Sequence, residues 1–363
     1  MVMRKRGSVL VVDDAPMNLD VLSHSLSDSF EVITADNGEA ALDLAAENLP
    51  DIIVLDIRMP GMDGYEVCRQ LKRSPITRGI PVIFLTAMLE EADEAYGLAL
   101  GAVDYITKPV SPALVKARVK NHIELKRRSD RLAELVDERT RELARTHEAT
   151  IESLGILAEC REPEGSGHIR RTRLYLSRLG QRLVEKGQYT PPLDENLIVQ
   201  YCKSAPLHDL GKVGVPDVIL RKEGPLTREE FEVMKTHTTI GQTSIAAAER
   251  RLGSDSFLRF ARDIALSHHE RWDGTGYPQG LAGEGIPLCA RLMAVADVYD
   301  ALVSRRVYKS PYPHSKAVAI LEENRGTAFD PIMIDAFLDV REDFRDIALE
   351  HADSDEERAA LAK

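Results

Sequence analysis

Five short apolar runs punctuate the first 125 residues: VLVV at 9–12, EVITA at 31–35, IIVLD at 52–56, VIFLT at 82–86 and DYIT at 104–107. Amphipathic stretches of helical period lie between them. Runs that are apolar on both faces belong inside a sheet covered on both sides, and strands separated by helices are parallel. The alternation predicts a doubly wound α/β domain over 1–125, built on a five-stranded parallel sheet.

From Ala113 to Leu154 there is neither Gly nor Pro, and the stretch is rich in Lys, Arg, Glu and Leu. Such a composition favours one long helix. Leu125, Leu132 and Arg139 fall seven apart, as do Val136 and Leu143, a heptad stripe broken by an arginine. We expect a connecting coiled-coil helix over 126–150 that pairs with its twin in a homodimer; the alternative is a solvated helix lying on one domain. Beyond it the patterns are almost all helical, interrupted by REPEGSG, GQYTPPLD and DGTGYPQGLAGEGIP. They predict an all-α domain over 151–345, followed by an acidic C-terminal tail over 346–363.

The net charge of −12 argues against a nucleic-acid polymer or an anionic membrane as partner, since either needs a basic surface. Cys68, Cys160, Cys202 and Cys289 form no Cys-x-x-Cys pair, which suits a reducing cytoplasm and gives no thiolate metal site. The opening MRKRGSVLVVDD carries too short an apolar run for a signal peptide or a membrane span.

In an open parallel sheet, ligands bind beyond the carboxyl ends of the strands. Asp13 and Asp14 follow the first run, Asp56 closes the third, Thr86 closes the fourth, and Lys108 follows the fifth. Three carboxylates brought together repel unless a hard cation sits among them, and Mg²⁺ suits oxygen ligands. Lys108 and the Thr86 hydroxyl would then hold an added phosphoryl group. These residues, with DIRMPGMDG around Asp56, resemble a response-regulator receiver domain over residues 8–125, of flavodoxin-like fold. The resemblance implies that Asp56 accepts phosphate from a sensor histidine kinase, with Asp13, Asp14 and the Ile57 carbonyl around Mg²⁺. Tyr105 matches that family's aromatic switch position.

The second half holds His168 in EGSGHIRRT, His208 and Asp209 in LHDLGKVGVPD, His237 in MKTHTTIG, the pair His268–His269, and Asp297 in AVADVYDAL. Imidazoles and carboxylates without sulfur suit Fe, Mn, Ni, Co or Zn. Five histidines and two aspartates exceed what one catalytic ion needs while keeping a position open for water. Two ions about 3.5–4 Å apart could share them through a bridging carboxylate. Adjacent helical residues point about 100° apart, so His268 and His269 act together only around such a cluster.

HDLGK together with HHERWDGTGYP resembles the HD-GYP phosphodiesterases, a branch of the HD metallohydrolases, from about residue 150 to 345. Gly276-Tyr277-Pro278 marks the branch. The resemblance implies that His168, His208, Asp209, His237, His268, His269 and Asp297 are metal ligands, with Asp209 bridging and Fe or Mn expected. It implies cyclic di-GMP as substrate, opened to pGpG and in some members cut on to GMP. Some members hold a third ion through a glutamate four residues before the first histidine; Glu164 has that spacing, and the glycines flanking Ser166 leave loop and helical turn equally open.

A dianionic substrate at an acidic protein needs local positive charge. Lys212, three residues after Asp209, could stabilise charge building on the phosphoryl oxygens. By resemblance, Arg306 and Lys309 bind substrate phosphate, whereas Arg305 is expected in solvent. Tyr277 could stack on a guanine or serve as a packed lid, and Asp300 could orient a ligand. Together these features describe a phosphorylation-regulated cyclic di-GMP phosphodiesterase. Its rivals are a catalytically weak cyclic-dinucleotide sensor or interaction platform, for example for GGDEF-domain proteins, and a hydrolase of another cyclic dinucleotide such as cyclic GMP-AMP.

Overall fold

The computed structural model describes residues 7–87, 91–161, 167–189, 192–253, 256–305 and 310–363. Internal contacts divide the chain into a unit ending at Arg141 and another beginning at Glu142.

In the first unit, strands β1 (Gly7–Val12), β2 (Phe30–Ala35), β3 (Ile52–Asp56), β4 (Val82–Thr86) and β5 (Asp104–Thr107) form one sheet in the order β2-β1-β3-β4-β5. Every neighbouring pair is parallel. Helices α1 (Pro16–Ser27), α2 (Gly38–Asn48), α3 (Gly64–Arg73) and α4 (Glu91–Ala99) connect the strands. The apolar runs are these strands. Val9, Val11, Ile52, Val54, Ile83 and Leu85 face α1 and the helix that begins at Pro112; Leu10, Val12, Ile53, Leu55, Val82 and Phe84 face α2 and α3. In β1, β3 and β4, the interior strands, burial on both faces is why no polar residue alternates within the run.

Helix α5 (Pro112–Glu159) is longer than the 126–150 expected for a connector, because the last helix of the sheet domain and the entry to the second unit are continuous with it. Val115, Val119 and Ile123 bury against the sheet, whereas every residue from 127 to 150 is exposed, including Leu132, Val136 and Leu143.

The second unit is helical: α6 (His168–Lys186), α7 (Glu195–Ser204), α8 (Asp217–Leu220), α9 (Arg228–Leu252), α10 (Leu258–Ser267), α11 (Leu288–Val303), α12 (His314–Glu323), α13 (Pro331–Glu350) and α14 (Asp355–Leu361). Its core gathers Tyr175, Leu176 and Leu179 of α6, Leu292, Met293 and Tyr299 of α11, and Phe337 and Phe344 of α13. The acidic end is folded rather than trailing. α13 runs to Glu350, and the Glu357 carboxylate accepts the backbone N–H groups of Arg305 and Asp353, both at 2.8 Å. Among the described residues no helix is long and apolar enough to cross a membrane.

Candidate metal centre and phosphoacceptor site

At the carboxyl end of the sheet, β1 and β3 are neighbours whose connections leave to opposite faces, the crevice that such sheets use for ligands. Oxygens of Asp13, Asp14 and Asp56 lie within 4.8 Å of one another there. Asp13 and Asp56 are buried and Asp14 is exposed. The Lys108 ammonium bridges them, 2.9 Å from Asp13 Oδ2 and 2.7 Å from Asp56 Oδ2. Burial pushes the Asp56 carboxyl up, Lys108 pulls it down, and Asp13 adds to the rise. Gly64 packs against the Asp56 carbonyl so closely that a Cβ would collide with it. The Ile57 carbonyl accepts the Gly64 N–H at 3.0 Å. Thr86 and Thr107 are paired at the ends of β4 and β5. The Tyr105 ring is buried 5.8 Å from Phe84, with its hydroxyl over Gly97.

In the second unit, five segments converge. His168 opens α6. His208 and Asp209 sit between two 3₁₀ turns, Ala205–Leu207 and Leu210–Gly214. The second turn lies against α9 so tightly that a Cβ on Gly211 would collide with the His237 carbonyl, which explains the glycine of HDLGK. A Thr227/Glu230 capping box starts α9, which carries His237. α10 ends at Ser267, with His268 as its cap. The chain therefore leaves helical geometry between His268 and His269, and their rings lie 4.0 Å apart in one cluster. Asp297 and Asp300, three apart on α11, share the face turned to His168.

Two groups of ligand-type atoms result, one of Asp209, His237, His268 and His269, the other of Glu159, His168 and His208. Asp209 faces both. Its Oδ2 lies 3.2 Å from His208 Nε2, and its Oδ1 lies 3.3 and 3.5 Å from Nε2 of His237 and His268. Asp297 Oδ1 is 3.6 Å from His168 Nε2. Glu159, the last residue of α5, is the member that the sequence reading missed. Glu164, Arg306 and Lys309 lie outside the described residues.

The ring tautomers are fixed from behind. Nδ1 of His208, His237 and His268 faces the backbone carbonyls of Ala205, Met234 and Ile264 at 2.9, 2.7 and 2.9 Å. A carbonyl only accepts, so each Nδ1 carries the proton and each Nε2 offers a lone pair. His168 Nδ1 faces Asp300 at 2.8 Å in the same way. The Nε2 atoms of His168 and His208 then point at each other across 3.4 Å. Two lone pairs in contact repel, and a cation between them removes the conflict. Among the described residues five buried side-chain polar atoms lack a hydrogen-bond partner; four belong here, Glu159 Oε1, Asp209 Oδ1, His237 Nε2 and His268 Nε2. Orphaned buried polar atoms are rare, so this concentration marks a donor set suited to transition ions.

The electrostatics agree with that assignment at Asp209, His237 and His269, whereas the carboxylates around His168 favour its protonated ring, and an ion bound there would replace that proton. Burial works against an ionised Asp209, but Lys212 and His208 hold its carboxyl well below the usual range. Burial lowers His237 to about 4 and takes His269 well below the ordinary imidazole value. Burial opposes charge on His168 too, yet Asp300 and Glu159 outweigh it and raise the ring to about 10. Lys212 Nζ sits 2.8 Å from Asp209 Oδ2. Arg171 grips Asp300 through Nε at 2.7 Å and Nη2 at 3.0 Å, and so braces the carboxylate that orients His168. Tyr277 stacks on His269 with centroids 4.9 Å apart and meets Phe231 edge-on. Glu270 accepts the Gln279 and Leu281 N–H groups at 2.8 and 3.0 Å, pinning that turn. Arg305 is exposed.

The model of the response regulator receiver domain matches residues 9–120, and that of the HD domain, a family of metal-dependent hydrolases, matches residues 157–333. A probable cyclic di-GMP phosphodiesterase of Vibrio cholerae is 46% identical over 356 residues, 96% of this chain and 81% of that protein. The cyclic di-GMP phosphodiesterase response regulator RpfG of Xanthomonas campestris is 37% identical over 91% of this chain and 87% of its own length. The 3′3′-cGAMP-specific phosphodiesterase 2 of Vibrio cholerae is 34% identical, over 56% of this chain and 36% of that protein. With its sheet domain, its helical unit with a candidate metal centre, and relatives matched over more than four fifths of their own length, the chain belongs to the family of HD-GYP response regulators, in which a receiver domain is joined to an HD-type metallohydrolase domain.

Proposed function

We propose that this protein hydrolyses cyclic di-GMP to pGpG at a centre of two Fe or Mn ions, under control of phosphorylation at Asp56. The convergence of unsatisfied buried lone pairs on Asp209 carries the reading. His168, His208, Asp297 and one Asp209 oxygen would hold one ion; His237, His268, His269 and the other Asp209 oxygen would hold its neighbour. Such a pair supplies an activated water at neutral pH and polarises a phosphoryl oxygen. The protein's own part is to keep each imidazole in the Nδ1–H tautomer, to split one carboxylate between two groups, and to set the Lys212 ammonium where negative charge builds. Arg306 and Lys309 would grip the second phosphate, and Tyr277 would border the guanine. Cyclic di-GMP is preferred over cyclic GMP-AMP because relatives matched over more than nine tenths of the chain carry the former name, whereas the cGAMP-specific relative matches about half of it.

The test is metal analysis of anaerobically purified protein together with chromatography of its products from cyclic di-GMP. We expect about two transition ions per chain and conversion to pGpG. Lys212→Ala should keep the metal and lower turnover by about 10²-fold, the scale for losing one charge-stabilising donor. Binding without cleavage by metal-loaded protein would overturn the enzyme reading.

Asp56 is expected to take a phosphoryl group from acetyl phosphate in the presence of Mg²⁺, with Asp13, Asp14 and the Ile57 carbonyl around the ion. Intact-mass measurement should show one adduct on the wild type and none on Asp56→Asn; an adduct on the variant would move the acceptor elsewhere.

Leu125, Leu132, Val136 and Leu143 are exposed at seven-, four- and seven-residue steps along α5, the spacing of a coiled-coil seam. A second copy of the chain is the partner that such a seam fits. Light scattering should report a dimer, converted to monomer by Leu132→Glu with Val136→Glu; a monomeric wild type sinks this assignment.

A further inference from the structure

We propose that Glu159, the last residue of α5, is itself a metal ligand, donating a carboxylate oxygen to the ion on the His168–His208 side. The inference rests on the two-ion reading and adds a donor to it. Glu159 Oε1 lies 3.6 Å from His168 Nε2 and within 4.8 Å of a His208 ring nitrogen, and it has no hydrogen-bond partner. A side chain only 12% exposed, with an orphaned oxygen aimed at two imidazole lone pairs, is costly unless a cation joins them.

The carboxylate is held there by construction. Gly155, one turn earlier, packs so closely that a Cβ would collide with the Pro206 carbonyl, and Ala158 is buried. Just beyond Glu159, the Arg161 guanidinium donates to the carbonyls of Lys212, Val213 and Val215 at 3.3, 2.7 and 2.9 Å. The end of α5 is thus stapled to the turn that carries Asp209 and Lys212. Two fixed points either side of Glu159 leave its side chain little choice of direction. A carboxyl merely retained in the core would be expected to find a hydrogen-bond donor, and Glu159 Oε1 has none.

The experiment is calorimetric titration of metal-free full-length protein with Mn²⁺, with ion content measured after gel filtration. Glu159→Gln keeps the shape and removes the charge. Altering a group behind a metal ligand typically costs 10–100-fold in affinity, so losing a direct ligand should weaken one ion by about tenfold or more, or remove it from the count. Glu159→Asp should fall between. Equal stoichiometry and affinity in Glu159→Gln and wild type would overturn the proposal. Failure of the wild type to bind any Mn²⁺ would instead remove the two-ion reading beneath it. A crystal of the wild type soaked in Mn²⁺ gives a readout independent of whether the variants fold: a Glu159 oxygen within coordination distance of the ion supports the assignment, and one outside it refutes it.

Discussion

Asp209→Asn will lower cyclic di-GMP turnover by roughly 10³-fold or more, beyond the 10²–10³-fold that loss of one charge-stabilising donor costs. The reason is that both oxygens are in use. Oδ2 pairs with Lys212 at 2.8 Å and lies 3.2 Å from His208, while Oδ1 turns to His237 and His268. An amide of the same shape has no charge, and one of its two ends is a donor. Turned to Lys212, that end sets donor against donor; turned to His237 and His268, it hydrogen-bonds their lone pairs and so occupies the places an ion would take. The substitution therefore removes the one group common to both ligand sets. We expect metal content to fall along with turnover, whereas Lys212→Ala lowers turnover alone. Product chromatography and elemental analysis on the two variants separate these outcomes; near-normal turnover in Asp209→Asn would remove the bridging role.

The receiver site was legible because its chemistry is tied to the ends of strands. The strands of a parallel sheet covered on both faces read as apolar runs, and Asp13, Asp56, Thr86 and Lys108 follow from where those runs stop. In the second unit the histidines were legible one by one, since each sits in a distinctive local setting. Their convergence was not, because it depends on how α6, α9, α10 and α11 pack. Glu159 escaped because it is one acid among many along α5, nine residues before His168, and only its burial sets it apart. Arg171 had a weak signal, its place three residues after His168, but Arg170 beside it is exposed and the sequence does not say which arginine turns inward. The acidic end looked like a solvated tail for a similar reason. Asp353 and Glu357 are charged residues whose partners, Arg171 and the Arg305 backbone, lie far off in sequence.

That last pairing gives the largest expected effect on stability. Arg171 is almost wholly buried and donates to four groups: both oxygens of Asp300, Asp353 Oδ2 at 2.7 Å, the His351 carbonyl at 2.9 Å and Ser304 Oγ at 3.0 Å. Burial opposes the Asp300 charge, yet Arg171 and His168 together hold its carboxyl far below the ordinary range. Arg171→Ala leaves that carboxylate buried with its main counter-charge gone, which costs about 3–5 kcal/mol when one partner of a buried pair is removed. Arg171→Lys should recover only part of this, because an ammonium cannot reproduce the two-pronged grip. Trp272, the chain's single tryptophan, lies in the helical unit, so denaturant titration followed by its fluorescence reports on that unit without interference from the sheet domain. The double variant Arg171→Met with Asp300→Asn removes both charges and should be more stable than Arg171→Ala alone, while His168 loses the carboxylate that fixes its ring and metal affinity falls. A loss below about 1 kcal/mol in Arg171→Ala, the range of an exposed ion pair, would mean that water reaches Asp300 and that the brace behind His168 is not closed.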